Sequence, residues 1–231
     1  MYSKFFKRVF DFTVSLVAFI ILLPFMLIFT VIGAIAMRGN PFFIQPRPGK
    51  KRKDGTERIF YLVKFRTMSN RKDADGNLLP DEERLNAYGK FLRSTSVDEL
   101  PSLINIIKGD LAIVGPRPQL VRDMVFMTAQ QRRRHDVRPG LTGLAQVNGR
   151  NNITWERKFE YDLEYIDSGI TLIGDVKIII KTALKVLKRA DVTREGTASD
   201  VDFGDYLLAK GEVSEEIYSD KQKEAKELLG V

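Results

Sequence analysis

An uncharged stretch near the N-terminus limits most strongly what this chain can fold into. The 26 residues from Phe12 to Met37 carry no charge, and the apolar run is interrupted only by Thr13, Ser15, Pro24, Thr30 and Gly33. A run of this length can cross the ~30 Å hydrocarbon core of a bilayer. The helix of a soluble core is rarely apolar on all sides for so long. The sequence therefore predicts a membrane-inserted helix within residues 1–38.

Two features decide how this helix enters the membrane. Cations flank it on both sides, with Lys4, Lys7 and Arg8 before it and Arg38, Arg47 and Lys50 to Lys53 after it. Both flanks favour the cytoplasmic side, which one straight span cannot satisfy. Pro24 lies near the midpoint, where a missing N–H favours a bend. We predict a re-entrant helix broken at Pro24, and a straight span with a proline kink stays the alternative.

A cleaved signal peptide is disfavoured. Ala34-Ile35-Ala36 has the small-x-small form of a cleavage site, but the apolar run is about twice the length of a usual signal-peptide core.

The charge balance indicates a partner rich in phosphate. The 37 basic and 30 acidic residues give a net charge of +7, which suits nucleic acid, a nucleotide or an anionic lipid surface. Residues 191–231 hold 11 acidic and 5 basic side chains, so residues 1–190 carry +13. The absence of cysteine excludes disulfides and thiolate chemistry. The single histidine, His135, excludes histidine-rich metal sites and is interpreted as a surface residue.

The remaining chain predicts an α+β, mainly helical fold. Two β-rich runs, 41–45 and 58–65, flank an Asp54-Gly55 turn and predict a hairpin. Helices are predicted at 82–93, 97–108, 120–135, 155–166, 173–190 and, in the acidic tail, near 214–229. We place the catalytic domain at residues 39–196 and a C-terminal tail, with no part in the chemistry, at 197–231.

The predicted helix 173–190 is amphipathic and basic. Its apolar side carries Val176, Ile179, Ile180, Ala183, Leu184 and Leu187, and its other side carries Lys177, Lys181, Lys185 and Lys188. An ordinary domain helix with a solvated face and a helix at an anionic lipid surface both fit this pattern.

Ser96-Val97-Asp98-Glu99 is the acidic feature with the most chemical promise. Ser-x-x-Glu is a capping box, and acids are stabilised in the first turn of a helix, so capping alone explains the pattern. A helix N-terminus also binds phosphate. A carboxylate beside bound phosphate can serve as a nucleophile or a metal ligand.

Several arginine and lysine motifs could bind that phosphate. Gly115-Pro116-Arg117-Pro118 holds an arginine between prolines that fix the backbone. In the glycine-rich bend 138–143, backbone N–H groups could face an anion, and the candidate substrate-binding residues are Arg138, Gly140, Thr142 and Gly143. Lys64 and Arg93 supply further cations near the hairpin and before the acidic pair.

These motifs resemble those of the small monotopic polyprenol-phosphate phosphoglycosyl transferases, bacterial sugar transferases that start lipid-linked glycan assembly. Within that family the resemblance is greatest to the diacetylbacillosamine-1-phosphate transferase. It covers roughly residues 1–196 and rests on Lys7–Asp11, Gln45–Gly49, Lys64–Met68, Ser96–Pro101, Lys108–Asp110, Gly115–Pro118 and Arg138–Arg150.

The resemblance implies a reaction. Asp98 would attack the β-phosphate of a UDP-sugar, form a phosphosugar–aspartyl intermediate and release UMP, after which polyprenyl (undecaprenyl) phosphate takes the sugar phosphate. Glu99 would hold Mg²⁺ together with Asp98, or handle the acceptor's proton. Lys64, Arg93 and Arg117 would surround the phosphates or the nucleotide. The implied location is the bacterial inner membrane, with a re-entrant helix, the bilayer as a partner and the catalytic domain on the cytoplasmic face.

One residue departs from the family pattern: Leu23 precedes Pro24 where the relative has serine, so no hydroxyl satisfies the backbone at the bend. Two other functions compete with the resemblance. A membrane-anchored nucleic-acid binder is suggested by Arg132-Arg133-Arg134, although no reader module accompanies it and we expect no nucleic-acid partner. A bitopic glycosyl transferase would release UDP instead of UMP.

Overall fold

The computed structural model describes residues 2–149, 153–187 and 201–230. The α-helices are Lys7–Met37 (α1), Asp81–Arg84 (α2), Ala87–Thr95 (α3), Leu103–Lys108 (α4), Val121–Met124 (α5), Leu144–Val147 (α6), Trp155–Asp167 (α7), Leu172–Leu187 (α8), Phe203–Ala209 (α9) and Glu215–Leu229 (α10). The strands are Phe42–Lys51 (β1), Glu57–Phe65 (β2), Ala112–Val114 (β3) and Gly140–Thr142 (β4), and 3₁₀ helices cover Val97–Ser102 and Gln131–Asp136. The predicted α+β, mainly helical fold class is confirmed.

The predicted hairpin is confirmed, with a first strand longer than the β-rich run. β1 pairs antiparallel with β2, so that Phe42 lies opposite Phe65. At the turn Gly55 has φ +85°, and the Asp54 carboxylate accepts a hydrogen bond from the backbone N–H of Thr56. Glycine adopts this left-handed conformation without the steric cost that a Cβ brings.

The free edge of β2 is held by the segment that follows Asp98. The Asn105 amide accepts from the N–H of Val63 at 3.1 Å and donates to the carbonyl of Tyr61 at 2.8 Å. The Ser102 hydroxyl donates to the carbonyl of Val63 at 2.8 Å. Side chains thus supply the hydrogen bonds that a third strand would otherwise make.

α1 runs from Lys7 to Met37 with Pro24 inside it, and the break predicted at this proline stays a prediction. Pro24 removes one backbone hydrogen bond, yet the helical assignment runs on without interruption to Met37. A helix of 31 residues is about 46 Å long if straight. It is the one helix in the described part of the chain that is long and apolar enough to cross a membrane by length and composition.

One side of α1 packs on the domain over almost the whole helix. Near its start the Lys7 ammonium donates to the buried Asp175 carboxylate at 2.6 Å. Near its end the carbonyl of Ala36 accepts from the Asn86 side chain at 3.2 Å. Between them Phe19 and Leu22 pack against buried core residues of the domain. The other side stays exposed and apolar, including Val17, Ile20, Ile21, Phe25, Leu27, Ile28, Val31 and Ile35.

α8 confirms the predicted amphipathic helix as far as the structure describes it, and residues 188–190 of the prediction lie outside the described residues. Ile178 and Asp175 are buried against the domain. An outer apolar row is exposed instead, formed by Leu172, Ile173, Val176, Ile180 and Leu184.

Three predicted helices are each divided in the structure, and one of them, 97–108, consists of the 3₁₀ helix Val97–Ser102 followed directly by α4. The predicted helix 82–93 is split at Leu85-Asn86, where the Asn86 side chain accepts from the N–H of Gly89 and starts α3. The predicted helix 120–135 becomes α5 and a separate 3₁₀ helix. The helices 155–166 and 214–229 are confirmed as α7 and α10, and α9 was not predicted. The proposed domain boundary at 196 lies outside the described residues.

His135 is buried, and the surface interpretation is wrong. Only 3% of the residue is exposed, and its Nδ1 lies 3.2 Å from a carboxylate oxygen of Glu57. Burial lowers the pKa of His135 to about 4, so the ring is neutral at pH 7. The partner is 78 residues away in sequence, which is why no local pattern indicates the burial.

Candidate active site

Ser96 lies between α3 and the 3₁₀ helix that carries Asp98 and Glu99. Its φ of +56° is left-handed, and its N–H closes α3 by donating to the carbonyl of Arg93. The Ser96 side chain makes no cap hydrogen bond at the start of the 3₁₀ helix, so the capping box predicted from the sequence does not form. Glu99 is therefore available to side chains of the surrounding elements.

Glu99 contacts cations from two different elements. One of its carboxylate oxygens accepts from Lys64 at 2.8 Å and from Arg117 at 2.9 Å. Lys64 lies on the same face of β2 as the buried Phe60 and Leu62, because strand side chains alternate with a period of two. The hairpin therefore places Lys64 beside the start of the 3₁₀ helix.

The backbone around Arg117 is fixed by close packing of two loops. β3 and β4 pair in parallel, with Ala112 opposite Gly140, and the N–H of Gly140 donates to the carbonyl of Pro116 at 2.9 Å. A Cβ at Gly140 or Gly143 would collide with the backbone of Gly115. These glycines permit close approach of the chains, and the Gly140 N–H, predicted to face an anion, is already used.

Arg93 is oriented by the segment that follows β2. Its Nε donates to the Thr67 hydroxyl at 3.1 Å, and a terminal nitrogen lies 3.0 Å from the sulfur of Met68. The guanidinium lines the same cavity as Asp98. α3 and the hairpin thus bring a further cation to the acidic pair.

A cavity of about 460 Å³ collects most of the predicted site residues. Asp98, Glu99, Lys64, Arg93 and Arg117 all line it. Within the described residues, the predicted Arg138, Gly140, Thr142 and Gly143 do not line it; the side chain of Arg138 donates to the carbonyl of Gly109 at 2.9 Å, and the Thr142 hydroxyl bonds to that of Thr182.

The electrostatics of the acidic pair follow from burial and charge. Burial raises the pKa of Asp98, and the negative charge of Glu99 raises it further, while Lys64, Arg117 and Arg93 oppose the rise. Burial also lowers the pKa of Lys64 and of Arg93. The cavity thus holds a desolvated carboxylate in a cationic surrounding, an arrangement common at functional sites.

The acidic pair is also the candidate metal site. Among the described residues, no group of three or more histidine, aspartate or glutamate side chains is arranged to hold an ion. Mg²⁺ needs no such cage, because it commonly takes one or two carboxylates together with water and substrate phosphates. Asp98 and Glu99 fit that type of site.

The same cavity is also lined by residues that sequence reasoning missed. Arg47, Arg122, Asp123, Asp162 and Asp202 line it. Burial raises the pKa of Asp123 and of Asp162 to about 6.

Sequence signals existed for two of these residues. Arg47 stands between prolines as Arg117 does. Asp162 lies on the buried face of α7 with Trp155 and Phe159, where a charged residue is unusual.

A second, apolar cavity of about 320 Å³ adjoins the first. Both are lined by Glu99, Arg117 and Gln146. The rest of its wall is mostly apolar and comes from the 3₁₀ helix, α4, β3, β4, α6 and α8, with Leu100, Leu103, Ile113, Leu141, Val147, Ile179, Ala183 and Val186.

A cationic cavity with a partly buried carboxylate pair, beside a long exposed apolar helix, is typical of a membrane-associated enzyme that acts on anionic substrates. Comparison gives the family. The model of the bacterial sugar transferases matches residues 2–189, and this chain belongs to that family. Membership makes it a phosphoglycosyl transferase, as the sequence predicted.

The relatives differ in chain length, and their names specify different sugars. The chain is 46% identical over 183 residues to an uncharacterised sugar transferase of Bacillus subtilis, covering 78% of this chain and 87% of that protein. It is 35% identical over 192 residues to the UDP-glucose:undecaprenyl-phosphate glucose-1-phosphate transferase of Xanthomonas campestris pv. campestris, covering 78% and 38%. It is 32% identical over 204 residues to the UDP-galactose-lipid carrier transferase of Erwinia amylovora, covering 81% and 41%. The chain thus spans about two fifths of the two longer relatives.

Proposed function

We propose that this protein transfers a sugar-1-phosphate from a UDP-sugar to undecaprenyl phosphate and releases UMP, as the first membrane step of polysaccharide or glycoconjugate assembly. The observation that carries the proposal is the cavity in which Asp98 and Glu99 meet Lys64, Arg93 and Arg117. Relatives named for transfer from UDP-glucose or UDP-galactose support this choice of donor.

In the first step the Asp98 carboxylate attacks the β-phosphorus of the donor. The new bond joins an Asp98 oxygen to phosphorus, and the bond between that phosphorus and the oxygen bridging the two phosphates breaks. UMP leaves with the bridging oxygen and its electron pair. Lys64, Arg93 and Arg117 offset the charge that develops on the phosphoryl oxygens, a major source of rate enhancement in phosphoryl transfer.

In the second step a phosphate oxygen of undecaprenyl phosphate attacks the same phosphorus. The Asp98–phosphorus bond breaks, the carboxylate is restored, and the product is a sugar diphosphate lipid. Glu99 lies next to Asp98 and lines both cavities, so it is placed to accept a proton from the incoming phosphate. Two steps replace a direct encounter between two bulky anions.

Mg²⁺ is the proposed cofactor, held by Asp98 and Glu99 with the donor phosphates. When bound, it would neutralise charge on the phosphates.

The apolar cavity suits the start of the lipid acceptor. It opens between the 3₁₀ helix of Asp98 and α8, whose outer row of apolar side chains is exposed. An isoprenoid could lie against these walls while its phosphate reaches Glu99 and Arg117, which the two cavities share.

The packing of α1 supports re-entry at the cytoplasmic face. Asp175 of the domain contacts Lys7 at one end of the helix, and Asn86 contacts Ala36 at the other. A straight span would separate these ends by a bilayer. Single cysteines at Ser3 and Lys53 should both resist an impermeant thiol reagent in intact cells and react after permeabilisation. Labelling of position 3 in intact cells would contradict re-entry.

Replacement of the nucleophile tests the chemistry. Asp98→Asn should lower UMP release by at least about 10³-fold, because the amide cannot attack phosphorus, and should abolish protein labelling from a β-³²P UDP-sugar. Asp136→Asn makes the same chemical change at an exposed residue that pairs with Lys51, and should keep wild-type activity. Near-normal turnover by Asp98→Asn would contradict the mechanism, and release of UDP by the wild type would favour the bitopic glycosyl transferase.

A further inference from the structure

The C-terminal segment 201–230 lies beyond the part of the chain that the family model matches, residues 2–189, yet it packs firmly on the domain. The sequence predicts a tail with no part in the chemistry, and in the structure Val201 and Asp202 of this segment line the cavity. Phe203 is 4% exposed, and its ring lies 5.1 Å from the rings of both Trp155 and Phe159 of α7. Burial of large aromatic side chains is a strong source of docking energy.

Further contacts extend along both tail helices. Ala225 of α10 is buried against Val121 and Met124 of α5. The Tyr206 hydroxyl of α9 and the ammonium of Lys210, which follows α9, donate to Glu156 of α7 at 2.8 Å and 3.1 Å. The acidic tail also complements the basic remainder of the chain in charge.

Two hydrogen bonds place Asp202 in the wall of the cavity that contains Asp98 and Glu99, which we call the donor cavity. The Trp155 indole N–H donates to the carbonyl of Val201 at 3.0 Å, and the N–H of Phe203 donates to the buried Asp123 carboxylate at 2.8 Å. These bonds hold the residues on both sides of Asp202. Its own carboxylate lines the cavity and pairs with Arg122.

A second carboxylate in the same cavity, that of Asp162, has one oxygen without a hydrogen-bond partner among the described residues. Asp162 is 2% exposed and lines the same cavity. One of its oxygens pairs with Arg134 at 2.6 Å, while the other, Oδ1, has no hydrogen-bond partner among the described residues. A buried acceptor without a donor is costly, and a ligand with donors would satisfy it.

The carboxylates of this wall indicate which part of the donor they contact. Asp162 and Asp202 carry carboxylates, and carboxylates accept hydrogen bonds from hydroxyl groups. The donor carries hydroxyls on its ribose and on its sugar. Relatives that share the family region name both UDP-glucose and UDP-galactose, so uridine is the common part and the sugar is the variable part.

We propose that the docked C-terminal segment forms the sugar-recognising wall of the donor site, with Asp202 accepting a hydrogen bond from a hydroxyl of the transferred sugar. This rests on the proposed function for the identity of the donor. It makes Asp202 a specificity-determining residue that lies outside the region shared with the family.

Equilibrium binding separates the sugar from the nucleotide. Dissociation constants should be measured for UDP-glucose, UDP-galactose, UDP-N-acetylglucosamine, UDP-N-acetylgalactosamine and UMP, with the full chain in lipid nanodiscs. Asp202→Asn should weaken the tightest UDP-sugar about 10- to 100-fold, the effect of losing a hydrogen bond to a charged group. UMP should bind as it does to the wild type.

Asp205→Asn is the matched control, because it removes the same charge from the same segment outside the cavity, where Asp205 accepts from Tyr218. It should leave every dissociation constant unchanged, and thermal unfolding should show that both variants fold.

Unchanged UDP-sugar binding by Asp202→Asn would overturn the inference, and equal weakening of UMP would assign the contact to the ribose and overturn the sugar assignment. If no UDP-sugar bound to the wild type, the inference and the proposed function would both fall. Binding that depends on Asp202 without transfer to undecaprenyl phosphate would overturn the proposed function alone.

Discussion

Arg117 and Arg138 are each followed by a proline, and they lie in two loops that are bonded to each other. Arg117 follows β3, and its side chain enters the donor cavity and pairs with Glu99. Arg138 precedes β4, and its side chain turns to the carbonyl of Gly109 at the end of α4. The proline restricts the backbone in both cases, but the neighbours of each loop decide where the guanidinium goes.

The largest effect separating the two arginines should be on catalysis. Arg117→Gln removes a cation from the phosphate site, and we expect kcat/KM for transfer to fall about 10²- to 10³-fold, as for loss of one group that stabilises transition-state charge. Arg138→Gln, measured beside it per folded molecule, should stay within about threefold of the wild type. Similar losses in both variants would show that the loops act as one binding unit.

The pH profile of the same variants gives an independent readout. Arg117 lowers the pKa of Asp98, which burial and Glu99 raise. Without Arg117 the pKa of Asp98 rises, so the acid limb of the kcat/KM profile should move to higher pH. Arg138 is not among the groups that set this pKa, so its variant should keep the wild-type limb. An unmoved limb in Arg117→Gln would contradict the assignment of that limb to Asp98.

A smaller effect should appear in the free energy of unfolding, which should depend on Arg138 rather than on Arg117. Arg138→Ala removes a charged donor from the partly buried carbonyl of Gly109, and we expect a loss of about 1–3 kcal/mol in the free energy of unfolding. Thermal or denaturant unfolding in nanodiscs measures it. Arg133→Ala offers a control, since its partner Asp167 is exposed and such pairs contribute about 0–1 kcal/mol. Equal losses in the two variants would contradict the structural role that we assign to Arg138.

The sequence predicted the parts of the fold that depend on local patterns. The hairpin follows from β-rich runs around Asp54-Gly55, and α7 follows from helical spacing of apolar residues. The parallel pairing of β3 with β4 was missed because each strand has three residues, too few for a periodic signal. The break at Asn86 was missed because its cap lies inside an otherwise helical pattern.

The site was predictable where motifs carried it and hidden where distant contacts did. Asp98, Glu99, Lys64, Arg93 and Arg117 were singled out, and they meet in one cavity. In the arginine run that suggested nucleic-acid binding, Arg132, Arg133 and Arg134 pair with Glu57, Asp167 and Asp162. Those partners lie 28 to 75 residues away along the chain, and local sequence gives no sign of them.

The pairing of Lys7 with Asp175 has a consequence for how the protein is made. The two residues are 168 positions apart, and at about 5–20 residues per second the ribosome reaches Asp175 roughly 10–30 s after Lys7. During this interval α1 can already lie at the bilayer while Lys7 is still hydrated. Asp11 of the same helix lies 3.8 Å from the Lys7 ammonium, but the shorter ion pair, with Asp175 at 2.6 Å, forms only when α8 arrives, and an ammonium group is costly to desolvate without close counter-ions. Closure of the domain onto its own anchor thus becomes one of the last events of biogenesis.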